Sequence, residues 1–111
     1  LVARSQGLPT SVEKTYTLLQ KGFTVEKIKQ IRRLKESTIQ EHSIIASILS
    51  HNFDYHQVLT SEDYRILQNI YSDDDLDDWK YQDLELSGHQ MPFYKFRIYQ
   101  VQRSKLNNDR T

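Results

Sequence analysis

The side chains that could do chemistry fall into a few groups. Lys27, Lys29, Arg32, Arg33 and Lys35 form the densest run of cations in the chain. Such a run either contacts nucleic-acid phosphate or solvates a helix face, and residue type alone leaves both readings open. His51, Asp54 and His56 are metal-ligand types, but their spacing matches no standard site, so they read as a polar connector. Asp73, Asp75 and Asp77 alternate like the start of a calcium loop. Asp78, however, stands where the invariant glycine belongs, and Leu84 where the closing Glu belongs. Asp73, Asp74 and Asp75 therefore read as charge that complements a helix start, with docking to a basic partner as the functional alternative. His42 has no nucleophile or acid beside it on its face, so it reads as a packed, hydrogen-bonded histidine. No catalytic residue, metal site or cofactor is expected. There is also no phosphate-binding glycine loop with lysine, so the chain carries no ATP-driven motor.

The basic run belongs to a longer stretch, Thr24 to Leu49, with two helical patterns back to back. Val25, Ile28 and Ile31 recur at three-residue spacing, and Thr24 can cap the free amides ahead of them. Leu34 falls in a tight connection. A longer helix follows, with Thr38, Ile39, His42, Ile45, Ala46 and Leu49 expected on its inward side. A short helix, a tight turn and a longer helix make a helix-turn-helix unit. Ser37, Gln40, Glu41, Ile44, Ser47 and Ile48 are expected to face outward, where a DNA reader meets the major groove. Of these, Gln40 suits a base edge, whereas Glu41 repels phosphate and Ile44 and Ile48 are apolar. If the second half of the chain, through Phe53 or Tyr55, leaves those isoleucines bare, they mark a partner site.

At 111 residues the chain is expected to form one domain with a modest core. A hydrophobic fraction of 37% and a mean hydropathy of −0.73 call for amphipathic elements with a well-solvated exterior. No run is long and apolar enough for a membrane span, and no signal peptide is visible. The absence of cysteine removes disulfides and fits a reducing cytoplasm. The first residue is Leu, which reads as a fragment of a longer protein. Net charge is zero but unevenly spread. Residues 1–50 hold eight Lys/Arg against four Asp/Glu, residues 51–85 two against ten, and residues 86–111 five against one. That basic, acidic, basic order points to a charged partner.

In chain order, residues 1–9 read as a lead-in. A helix from Thr10 or Ser11 follows, with Val12, Tyr16 and Leu19 as its core stripe, Gly22 as its stop and Phe23 plugging the join. Residues 10–50 are thus a tri-helical core, and 51–59 a connector. Thr60 with Asp63 resembles a capping box for a helix carrying Tyr64, Leu67, Ile70 and Tyr71. Another helix is expected from the aspartates through Leu76, Trp79 and Leu84 or Leu86. Residues 93–103 suit either helix or strand, and helix is favoured because a lone strand has no partner. Residues 104–111 read as a tail, and Lys95, Arg97, Arg103 and Lys105 could extend the basic patch. The fold class is all-α: a tri-helical helix-turn-helix core followed by about three additional helices, together one domain over 10–103.

SVEKTYTLLQKGFTVEKIKQIRRLKESTIQEH resembles the helix-turn-helix domain at the C-terminus of RecQ-type DNA helicases and in stand-alone bacterial proteins associated with them. The likeness rests on Thr15 to Leu18, Gly22, Leu34 and Ser37-Thr38-Ile39 with His42. Downstream it rests on Trp79-Lys80 and on Phe93, Phe96 and Arg97. Phe93 stands where that family tends to have Tyr, and Ser43 where it tends to have Leu. The resemblance implies a non-catalytic module of DNA unwinding and repair in the bacterial cytoplasm, near the nucleoid. Lys27, Arg32, Arg33 and Lys35 would contact phosphate, with Ser37 and Gln40 nearest the bases. The alternative is a protein-docking module using Glu41, Ile44, Ile48 and Asp73 to Asp75. The partners would be DNA with little sequence choice and a RecQ-type helicase or upstream domains of the same protein, not a membrane.

Overall fold

The computed structural model describes residues 7–72 and 75–109, and they divide between Gln57 and Val58 into two compact units. Among the described residues all regular structure is helical. The first unit holds α1 (Thr10–Gln20), α2 (Val25–Arg32) and α3 (Glu36–Leu49), followed by a 3₁₀ turn at Tyr55–Gln57. The second holds α4 (Ser61–Ile70), a 3₁₀ turn at Leu76–Asp78, α5 (Tyr81–Leu86) and α6 (Phe93–Asp109). None of these helices is long and apolar enough to cross a membrane.

In the first unit each pair of helices packs together. Val12, Tyr16 and Leu19 of α1 are buried, as their spacing predicts, together with Ile28 of α2 and Ile39 and Ala46 of α3. Removing an isoleucine such as Ile28 or Ile39 from water contributes about 1.5–3 kcal/mol. Gly22 ends α1 at φ +91°, a left-handed conformation that a side chain would strain. Thr24 caps α2 by accepting the Lys27 amide at 3.1 Å. Tyr16 fixes the connector: its ring stacks on Phe53 at 5.0 Å, and its hydroxyl accepts the Asp54 amide at 2.9 Å.

Three expectations for this unit need correction. The buried side of α3 is turned by about 90° from the predicted stripe, at 100° per residue. Ser43, Ser47 and Ser50 are buried, while Ile45 and Leu49 are exposed. The serines fit because they are small and hide their polarity. Ser43 donates to the Ile39 carbonyl at 3.0 Å and Ser47 to the Ile44 carbonyl at 2.7 Å. On α2 only Ile28 is fully buried, and Ile31 is exposed, because a helix of one face and about two turns meets the core once. Phe23 does not plug the join but stands partly in solvent.

The second unit is built on aromatic packing. Trp79 stacks on Tyr99 at 5.7 Å, and Tyr71 packs against Phe96 at 5.0 Å. The Tyr71 hydroxyl donates to the Lys80 carbonyl at 2.6 Å, and burial pushes its pKa up to about 12. Thr60 and Asp63 form the predicted capping box: Asp63 donates its amide to the Thr60 hydroxyl at 3.1 Å, and the Asp63 carboxylate accepts the Thr60 amide at 3.0 Å. The expected helix through Leu76, Trp79 and Leu84 is instead a 3₁₀ turn, an extended Trp79 and a separate α5. The extended step delivers the indole to Tyr99, which a continuous helix would not do. Residues 93–103 are helical, and α6 continues through the 104–109 segment read as tail.

Candidate nucleic-acid interface

The turn between α2 and α3 brings the basic run to a point. α2 ends at Arg33, which takes the left-handed conformation (φ 56°, ψ 45°), so the chain reverses within Arg33–Lys35 and α3 begins at Glu36. Lys27, Arg33 and Lys35 are exposed, and none forms an ion pair among the described residues. Lys29 does not join them: its ammonium lies 3.3 Å from Glu26 and 3.6 Å from Glu36. The Glu26 carboxylate, by hydrogen bond and charge, holds the Lys29 pKa above its usual value, with Glu36 adding to it.

Arg32 stands apart from its neighbours. Nη1 donates to the Ser11 carbonyl and to the Thr15 hydroxyl, both at 2.7 Å, and Nη2 reaches Ser11 Oγ at 3.4 Å. The guanidinium, expected at phosphate, thus faces α1 and ties α2 to it. Thr15, itself fully buried, also lies 2.7 Å from His42 Nδ1. One hydroxyl therefore joins α1, α2 and α3. Burial, followed by the charge of Arg32, holds the His42 pKa below its ordinary value, so the imidazole is neutral near pH 7. The packed, hydrogen-bonded role read for His42 is the one its surroundings give it. Sequence reasoning missed Thr15, although it lies on the stripe of Val12 and Leu19, where a buried hydroxyl demands a partner.

Along α3, Ser37 and Glu41 are exposed. Gln40 is half-buried and donates to Glu36 Oε2 at 3.3 Å, so the side chain best suited to a base edge is already engaged. Ile44 is half-buried and Ile48 is 44% exposed, flanked by Ile45 and Leu49. The outward face of α3 is thus polar at its start and apolar at its end. Ser47, expected outward, is buried. Phe53 and Tyr55, offered as covers for Ile44 and Ile48, pack edge to face with each other, and Phe53 stacks on Tyr16.

The remaining candidates lie elsewhere. Asp73 and Asp74 fall outside the described residues, and Asp75 is exposed just before the Leu76–Asp78 turn. Asp54 accepts the His56 amide at 3.2 Å, which starts the 3₁₀ turn of the connector. Three cations of α6 have partners within the second unit. Lys95 pairs with Asp63 at 2.8 Å, Arg97 donates to Gln100 at 3.3 Å, and Arg103 lies over the Trp79 ring at 6.0 Å. The arrangement at the α2–α3 turn can hold a polyanion by charge.

A family model described as a helix-turn-helix domain matches residues 11–100. Protein YpbB of Bacillus subtilis (strain 168) is 32% identical over 56 residues. That segment is 50% of this chain and only 16% of YpbB, so the chain spans a small part of that relative's length. No solved structure gives a significant match. A helix-turn-helix domain points to nucleic-acid binding or a helicase-associated role. From the α2–turn–α3 geometry and a family match over most of its length, the chain belongs to the helix-turn-helix domain family.

Proposed function

We propose that this chain is a non-catalytic accessory module of a RecQ-type helicase system, holding DNA through its phosphate backbone in the bacterial cytoplasm. The observation that carries the DNA reading is the exposed trio Lys27, Arg33 and Lys35, in α2 and the turn after it, with no ion pair among the described residues. Side chains of this kind position a duplex without reading it. Ser37 stands nearby at the start of α3, while Gln40 is engaged by Glu36 and Glu41 repels phosphate, so little sequence choice is expected. The helicase link rests on the resemblance carried by Ser37-Thr38-Ile39, His42 and Trp79-Lys80.

Fluorescence anisotropy with a short labelled duplex, titrated at several salt concentrations, tests this reading. Reversing Lys27, Arg33 and Lys35 to Glu should weaken binding by at least about tenfold and flatten the salt slope by about 0.9 per lost phosphate contact. Unchanged affinity in a variant with native circular dichroism removes the proposal.

A second reading is favoured by one observation: Ile45, Ile48 and Leu49 are exposed together, with Ile44 at the edge and Glu41 one turn before. An apolar cluster at the end of α3 suits docking to a helicase, with the acidic stretch around Asp75 as a further contact. Capture of a RecQ-type helicase that is lost in Ile48→Asp supports this reading, and capture that survives the change removes it.

A further inference from the structure

A second surface of the first unit reaches the end of α2, at Ile31 and Arg32, and stops short of the turn itself. Between α1 and α2 runs a groove of about 430 Å³ lined by Glu13, Lys14, Thr17, Leu18, Ile31 and Arg32. Its apolar part is formed by Leu18, half-buried, and Ile31, 47% exposed. Phe23 is tied to Leu18 through the backbone, its amide donating to the Leu18 carbonyl at 3.2 Å, and it is 37% exposed. Lys14, Leu18 and Lys21 recur at four- and three-residue spacing along α1 and its C-cap, so two exposed lysines stand on the line of the apolar residue between them. Glu13 is the one carboxylate of the lining. Arg32, already bound to Ser11 and Thr15, forms part of the floor and adds positive charge.

An apolar strip of this kind rimmed by lysines has a definite complement. DNA has charge for the lysines but nothing for Ile31 and Phe23. A peptide that alternates acidic and large apolar residues has both. We propose that the α1–α2 groove docks an acidic amphipathic peptide segment of another protein. Leu and Phe side chains of the ligand would sit on Leu18, Phe23 and Ile31, and its carboxylates would meet Lys14 and Lys21. Neither lysine is among the cations assigned to phosphate, so the two surfaces are probed by different substitutions.

The test uses a fluorescein-labelled synthetic peptide alternating Asp or Glu with Leu and Phe, titrated with the full chain. One control peptide replaces Leu and Phe with Ser, and another replaces the acids with Lys. The parent peptide should bind at least about tenfold more tightly than either control. Ile31→Asp and the pair Lys14→Glu with Lys21→Glu should each weaken it by at least about tenfold, while duplex affinity changes by less than about twofold. Because Ile31 is exposed, Ile31→Asp should keep the native melting curve, and Phe23→Ser provides a second apolar variant. Equal binding of the Ser control shows a site for polyanions in general and overturns the proposal. So does binding that survives both Ile31→Asp and Phe23→Ser.

Discussion

Thr15 Oγ1 stands 2.7 Å from His42 Nδ1, across 27 residues of sequence, and this contact joins the first helix of the unit to the third. A guanidinium can only donate, so the hydroxyl accepts from Arg32 Nη1 at 2.7 Å. It keeps one lone pair and its hydrogen for His42 Nδ1, and the ring tautomer sets which of the two groups donates.

Replacing Thr15 with Val keeps the shape and removes the hydroxyl. The Arg32 donor and the His42 ring nitrogen would then face a methyl group at a position with no solvent access. A cost of about 1–3 kcal/mol is expected in urea denaturation, in line with buried polar groups that lose their partner. Thr15→Ser, which keeps the oxygen, should lose less. If Val and Ser behave alike, the hydroxyl is not what holds the three helices.

The setting of His42 also makes stability depend on pH. Burial and then Arg32 lower the folded His42 pKa from its ordinary 6.5, with Glu41 opposing. The unfolded chain therefore takes up the proton first. The histidine's contribution is complete above pH 6.5 and is lost as pH falls through 6.5 towards the folded value, below which the slope vanishes. Melting temperature should drop between about pH 7.5 and about pH 5.5 in the parent chain, and by less in His42→Gln. Parallel curves for the two proteins would show that His42 does not couple to folding.

The turned face of α3 yields a paired prediction. Ser47 has no exposed surface, so Ser47→Leu forces extra methyl groups into a filled space and should cost about 1–3 kcal/mol. Ile45 is 36% exposed, so Ile45→Lys should change stability by no more than about 0.5 kcal/mol. A reading from hydropathy alone makes the opposite ranking. Denaturant midpoints of the two variants decide between them.

That contrast shows where the sequence was legible. Caps and stops could be read because their chemistry is local: Thr24, Gly22 and the Thr60–Asp63 box each act within a few residues. The core of α1 was equally plain, since Val12, Tyr16 and Leu19 are apolar and periodic. α3 misled because Ser43 and Ser47 bond their own helix's carbonyls, so polar letters fill core positions and isoleucines are left for the surface. Arg32 misled for a related reason. Its charge resembles that of its neighbours, and only the distant Ser11 and Thr15 reveal that it turns inward. The break between Leu76 and Tyr81 depends on Trp79 reaching Tyr99, a partner twenty residues away that no local pattern announces.

Arg33 separates folding from binding. It is the one described residue other than glycine with positive φ, at 56°. A left-handed backbone costs an ordinary L-residue about 1–2 kcal/mol, whereas glycine adopts it freely and forfeits about 0.5–1 kcal/mol of chain entropy instead. Arg33→Gly should therefore leave stability unchanged or raise it by up to about 1 kcal/mol. The side chain is also one of the three cations proposed to meet phosphate, so the same change should weaken duplex binding and reduce the salt slope by about 0.9. A variant that folds as well as its parent and binds DNA less well places the Arg33 guanidinium at the phosphate. Equal duplex affinity in that variant removes Arg33 from the interface, whatever Lys27 and Lys35 contribute.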